Sequence, residues 1–158
     1  MVATLLFVLL AAGIRTGLHH AGYNIGPFEF WPVHLFFLVL IAYLSGYRQL
    51  RLDRTSGMGA LMRDGIRDTV LYAVLIGVLS WVFYTYMDPN EFAERNAIII
   101  DGLVNDGFSE ADARQKVSGF YTPANYAGIT FLALLMTGAV NTLLFAVIHH
   151  RLLRRFMR

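Results

Sequence analysis

The sequence predicts an all-α fold, a polytopic membrane protein of four transmembrane helices with an amphipathic helical segment between the third and the fourth. Two observations carry that reading. Apolar residues make up 56% of the 158-residue chain and charged residues only 15%, far below the roughly 25% charged of an average soluble domain. The apolar residues also gather in four runs that approach or reach the about 20 residues needed to cross a bilayer's hydrocarbon, instead of recurring at amphipathic spacing. A third observation bounds the chemistry: with no cysteine in the chain, disulfides, thiolate metal sites and thiol nucleophiles are excluded.

Residues 1–158 read as a single membrane domain. The first span, about Val2 to Leu18, is preceded by no Lys or Arg, which argues for a retained helix over a cleaved signal. Arg15 lies near enough to its end to reach the interface. Gly13 and Gly17, four apart, either let another helix approach closely or fall there by coincidence. Gly22, Asn24 and the Gly26-Pro27 pair then make a tight hairpin. Phe28, Phe30 and Trp31 form an aromatic cluster of the headgroup kind, and Pro32 opens a second span to about Tyr47.

From Tyr47 to Asp68, Arg48, Arg51, Arg54, Arg63 and Arg67 stand against Asp53, Asp64 and Asp68, with Ser56-Gly57-Met58-Gly59 as the flexible point. The Arg excess makes this the cytoplasmic loop, and Arg151, Arg154, Arg155 and Arg158 put the C-terminus on the same side. Four spans then make both termini cytoplasmic. A third span, about Thr69 to Met87, ends in Trp81, Phe83, Tyr84 and Tyr86, an aromatic belt for the outer interface. The last runs from about Tyr126 to Ile148, after a Thr122-Pro123 start.

Between these two spans lies the longest polar break, residues 88–122. Asp88 can cap a helix with Pro89 at its first position. Phe92, Ile99, Ile100, Leu103 and Val104 then fall largely on one side as far as Asn105-Asp106-Gly107, which ends it. Ser109 with Asp112 starts a second short helix as a capping-box-like pair. The segment carries seven acids against three bases, opposite in sign to both basic segments.

The pattern resembles an uncharacterised family of small bacterial four-span membrane proteins, a domain of unknown function. The residues that carry the resemblance are Tyr47-Arg48 at the end of the second span and Tyr84-Thr85-Tyr86-Met87-Asp88-Pro89 closing the third. Gly107-Phe108-Ser109-Glu110 in the acidic segment and the basic end of the last span complete it. The resemblance spans about the last two thirds of the chain. It implies a four-span fold in a bacterial cytoplasmic (inner) membrane and brings no functional residues with it.

Several groups invite chemistry. His19, His20 and His34, with Glu29 between them, gather imidazoles at one face where a transition metal could bind, but their spacing is no zinc or haem signature and interfacial His is ordinary. His149-His150 reads as a headgroup contact, as do Arg48, Arg51, Arg151, Arg154 and Arg155, each worth about 1 kcal/mol near an anionic surface. Thr137 and Asn141, with Gly138 and Thr142 one residue on, make a stripe that either lines a path or bonds between helices at about 0.6 kcal/mol per bond. Asp68 with Tyr72 reads as a helix N-terminal acid favoured by the dipole.

No phosphate-cradling loop, zincin helix or nucleophile elbow is present. The pI of about 9.1 comes from Arg at span ends, so no nucleic-acid partner is expected, and no cofactor. The expectation is a non-catalytic accessory or scaffold subunit of a larger membrane complex. It would pack through Gly13, Gly17, Phe92, Ile99, Leu103, Thr137, Gly138 and Asn141, with the bilayer and other membrane subunits as partners. The alternatives are a small oligomeric transporter or channel using Arg15 and the Thr137/Asn141 stripe, or a lipid-modifying membrane enzyme built on the three histidines.

Overall fold

The computed structural model describes residues 1–23, 25–26, 29–119 and 121–156, all but the side chain of Arg154. Asn24, Pro27, Phe28 and Arg158, named above, lie outside the described residues. The elements are α1 (Val2–His20), α2 (Trp31–Leu52), α3 (Met58–Val82) with a π-helical turn Phe83–Met87, α4 (Asn90–Asn105) and α5 (Glu110–Val117). After these come α6 (Pro123–Ile148), a second π-helical turn (His149–Leu153) and a last helical turn α7 (Arg154–Phe156). Four stretches, Val2–His20, Trp31–Leu52, Met58–Met87 and Pro123–Leu153, are long and apolar enough to cross a membrane. The chain packs as two compact units, residues 1–75 with 131–158, and residues 76–130.

Local chemistry sets the ends of these helices. Gly22 and Gly107 take φ of +78° and +96°, and each closes a helix by the same pair of bonds. At α4, Gly107 N–H donates to Val104 O and Phe108 N–H to Leu103 O, at 3.0 and 3.1 Å, the Schellman pattern that satisfies otherwise orphaned carbonyls. The Ser109 hydroxyl accepts from Asp112 N–H at 3.1 Å and donates to the Asp112 carboxylate at 2.6 Å, fixing the start of α5. Thr122 does likewise for α6, its hydroxyl accepting from Asn125 N–H at 3.2 Å.

Three expectations about ends differ from what is observed. α4 begins at Asn90 with Pro89 as its cap residue, because Asp88 is taken up by the preceding π turn, its N–H donating to Phe83 O at 3.0 Å. α2 runs on to Leu52 and α3 starts at Met58, so most of the Arg-rich stretch is helical. Ser56-Gly57-Met58-Gly59 is therefore no open linker: Met58 and Gly59 are in the first turn of α3, and Ser56 is buried. Asp53 organises the turn, accepting from Thr55 N–H at 2.8 Å and from the Ser56 hydroxyl at 3.1 Å, while Gln49 donates to Ser56 at 2.9 Å.

In the first unit, α1, α2 and the inner faces of α3 and α6 bury Val8, Phe37, Leu38, Ile41, Tyr72 and Leu134. Phe7 of α1 stacks on Phe37 of α2 at 5.1 Å, and Leu50, Leu61 and Ala146 close a second apolar cluster. α1 keeps Val2, Leu6 and Leu9 outward, as a helix solvated by lipid does. In the second unit, Phe83, Tyr84 and Phe92 bury together with Tyr126 packed on them. Their rings meet edge to face, Tyr84 lying 5.1 Å from Phe92 and 5.2 Å from Tyr126, the arrangement that ring quadrupoles favour. Gly107→Ala forces a side chain into a left-handed conformation that costs about 1–2 kcal/mol. Hydrogen exchange is expected to show lost protection in α4 and α5, with the spans unchanged.

Candidate functional site

The first unit has a polar interior, and glycines make room for it. Gly65 of α3 faces Thr142 of α6, where a Cβ would stand 2.5 Å from the threonine methyl. Gly138 of α6 faces Thr69 of α3, where a Cβ would stand 2.9 Å from the hydroxyl and 3.0 Å from Leu38. Gly46 of α2 faces the His149 ring, with 3.0 Å between that position and Nδ1. Thr69 and Thr142 are both buried, their hydroxyls 3.4 Å apart. Glycine in each socket removes the Cβ, so helix axes approach closely enough for these polar side chains to reach one another.

Ionisable groups sit beside these sockets. Asp68 is 3% exposed and lies 3.2 Å from Arg48 Nη2, which also reaches Asp64 at 3.5 Å. The Met1 amino group is 3.4 Å from the Asp68 carboxylate. Because α3 starts at Met58, Asp68 lies well past the first turn, where a helix dipole would favour it. Arg48 accounts for it instead. His34 Nδ1 is 2.9 Å from the Tyr72 hydroxyl, with the Phe30 ring at 5.1 Å. His149 is completely buried. Its Nδ1 donates to Phe145 O at 2.6 Å, and its Nε2 is buried and without a hydrogen-bond partner among the described residues. This places His149 inside the protein, not at the lipid headgroups.

The histidine trio does not assemble. His34 is occupied with Tyr72, His19 and His20 lie edge to face with ring centroids 5.8 Å apart, and Glu29 accepts from Gly26 N–H at 3.1 Å. Among the described residues no three His, Asp or Glu side chains come together as metal ligands. Arg15 turns back to the Ile25 carbonyl, with its guanidinium 6.0 Å from the Phe30 ring. Among the described residues, the adjoining backbone of α1 aside, nothing lies within 4 Å of where a Cβ would be on Gly13 or Gly17. Thr137 and Asn141 are half-buried, and Asn141 Nδ2 is buried without a partner among the described residues. Of the basic residues assigned to headgroups, Arg48 is engaged by Asp64 and Asp68, Arg51 lies 5.7 Å over the Tyr47 ring, and Arg151 and Arg155 are exposed.

The second unit offers a surface. α5 lays Ala113 and Val117, both buried, inward, while Arg114 folds onto Glu110 of the same helix at 2.7 Å. Glu91 is 4% exposed and paired with Arg95 one turn on. Phe92 belongs to the aromatic cluster, and Ile99 and Leu103 are half-buried on the same side of α4. A groove of about 420 Å³ opens beside α5, lined on α4 by Ala93, Ala97, Ile100 and Val104 with Asn96 and Asp101, and on α5 by Glu110 and Arg114. Of the apolar side that the sequence gives α4, Ile100 and Val104 line this groove, whereas Phe92 joins the aromatic cluster.

A family model described as "Protein of unknown function (DUF4199)" matches residues 1–151. The chain belongs to the DUF4199 family. The match reaches back through α1, beyond the two thirds of the chain over which the resemblance is legible by eye. Neither the curated proteins nor the solved structures give a match. For this DUF4199 chain, all three sockets couple helices far apart in sequence, and their loss is measurable. Gly65→Ala and Gly138→Ala are each expected to cost about 1–3 kcal/mol by overpacking, read as lower thermal stability in detergent. Thr69→Ala is expected to recover part of the Gly138→Ala loss. Gly13→Ala and Gly17→Ala, which meet open space, are expected to leave stability unchanged.

Proposed function

We propose that this DUF4199 chain is a non-catalytic accessory or scaffold subunit of a larger bacterial inner-membrane complex. Its four spans and the bilayer hold it in place, and α4 and α5 dock a partner subunit on the outer side. The observation that carries this reading is the α4–α5 groove of the second unit, where Ala93, Ala97, Ile100 and Val104 are set among the polar and charged Asn96, Asp101, Glu110 and Arg114. The buried polar groups of the first unit support it from the other direction. Among the described residues these include His34 with Tyr72, Asp68 with Arg48 and Thr69 with Thr142, contacts between helices that serve packing.

The orientation follows from Arg. Arg48, Arg51, Arg54, Arg63 and Arg67 surround the α2–α3 turn, and Arg151, Arg154, Arg155 and Arg158 close the chain, which makes that side cytoplasmic together with both chain ends. The acidic α4–α5 segment then faces outward. A second reading, an oligomeric transporter or channel, has one observation in its favour: Asn141, half-buried in α6, keeps an Nδ2 without a hydrogen-bond partner among the described residues.

Purification in mild detergent is expected to give an assembly with additional subunits, and deletion of residues 90–117 to release them. Recovery of free monomer alone overturns the scaffold reading. For the second reading, Asn141→Leu is expected to abolish any solute flux in proteoliposomes, and flux that survives the change removes its support.

A further inference from the structure

We infer that the α4–α5 groove is the seat of a basic amphipathic helix from a partner protein, a reading that rests on the scaffold function and names the partner's chemistry. Ala93, Ala97, Ile100 and Val104 follow one another at intervals of four, three and four residues. That is the spacing of a coiled-coil seam, the stripe which one helix presents to another. α5 borders this stripe through Glu110 and Arg114 but does not cover it: Ala93, Ala97 and Val104 are exposed, Ile100 is half-buried, and all four line the groove. Two alanines at one end let a second backbone come close, and the branched Ile100 and Val104 supply apolar area at the other. The seam covers roughly three helical turns, about 17 Å at 1.5 Å per residue, which suits a short docked helix.

The charge of the edge selects the occupant. Glu94 and Asp101 each follow a seam residue by one position, lie seven residues apart, and so share one flank. Both are exposed, and neither has an ion pair among the described residues. The opposite flank is turned to the protein, with Asn96 donating to the Tyr121 carbonyl at 3.2 Å and Leu103 half-buried. The exposed flank is therefore acidic, and Arg114, the one cation lining the groove among the described residues, is held by two hydrogen bonds to Glu110 at 3.0 and 2.7 Å. A second copy of α4 laid antiparallel into the groove would bring its own Glu94 and Asp101 against these, and like charges across a seam disfavour the pair. A helix with an apolar seam and Lys or Arg at its flanks meets both requirements.

The test uses the full chain in nanodiscs of zwitterionic lipid, which do not themselves attract a cationic peptide. The probes are two synthetic helices with Leu at the seam positions, one with Lys and the other with Glu at the flanks. The Lys-flanked helix is expected to bind and the Glu-flanked one not. Asp101→Lys is expected to weaken binding about tenfold through like-charge contact. Ala97→Trp, which fills the groove at an exposed position, is expected to abolish it. Asp106→Lys makes the same change of charge off the seam and is expected to leave the affinity within about twofold. Equal binding of both probes, or equal loss with Asp101→Lys and Asp106→Lys, overturns the inference. So does an inter-copy disulfide through Ala97→Cys, a unique thiol in a chain without cysteine. If co-purifying subunits are released by deleting residues 90–117 but retained by Asp101→Lys and Ala97→Trp, the scaffold reading stands and this one falls. If the chain purifies alone while the Lys-flanked probe binds the groove, the scaffold reading falls and the groove assignment stands.

Discussion

The first unit depends on close approach between helices that lipid gives no reason to associate. In water, burying a leucine face drives helices together; in a bilayer the acyl chains are as apolar as leucine, so packing contacts and interhelical polar bonds must supply the association. Gly46, Gly65 and Gly138 meet that constraint. Each sits opposite a polar side chain of another helix, His149, Thr142 and Thr69 in turn, and the missing Cβ is what admits it. Gly65 and Gly138 lie on α3 and α6 with the two threonines crossing between them, so each helix is both socket and knob for the other. A register slip between α3 and α6 would set a methyl group against a side chain in place of an empty site.

Polar burial in this unit follows from the same geometry. Asp68 would be costly alone among apolar helices; Arg48, from the end of α2, lies 3.2 Å away and joins the α2 and α3 helices across their short turn. Breaking such a pair from one side leaves an uncompensated buried charge, which is the expensive outcome. The carboxylate and the guanidinium thereby fix how far α2 and α3 slide past each other, a role that packing of leucines alone specifies poorly. The Asp53 turn, with its bonds to Thr55 and Ser56, sets the same relation from the covalent end.

How much of this the sequence discloses depends on the range of the interaction. Features decided within a few residues are legible: the long apolar runs, the stop at Gly107, the Ser109 cap and the Thr122-Pro123 start. Features decided between helices are not. Arg48 reads as a headgroup contact and Asp68 as a helix N-terminal acid because nothing in either flank reveals that α2 runs on to Leu52 and α3 starts as early as Met58, so that both residues lie within helices and meet across them. His149 beside an Arg run reads as interfacial, and only the opposing Gly46 shows why an imidazole fits inside. Gly13 and Gly17 are two glycines four apart yet meet no other helix among the described residues, whereas Gly46 and Gly65 have no glycine four away and pack tightly. On α4, periodicity finds an apolar face but cannot divide it between the aromatic core at Phe92 and the open seam at Ile100 and Val104, since that division is made by α5.

The π-helical turns that close α3 and α6 have a consequence for chain length. In Phe83–Met87 the bond from Asp88 N–H to Phe83 O spans five residues, so the turn holds one residue more than an α-helical turn would. An extra residue advances the helical phase by about 100°, which means that side chains past the turn point where a plain α-helix would have aimed their neighbours. Such a turn absorbs an inserted residue locally. It lets the sequence that follows be shifted in direction while the long apolar helix before it keeps its lipid-facing and protein-facing sides, and it leaves Phe83 and Tyr84 at the turn itself to be held by the aromatic cluster.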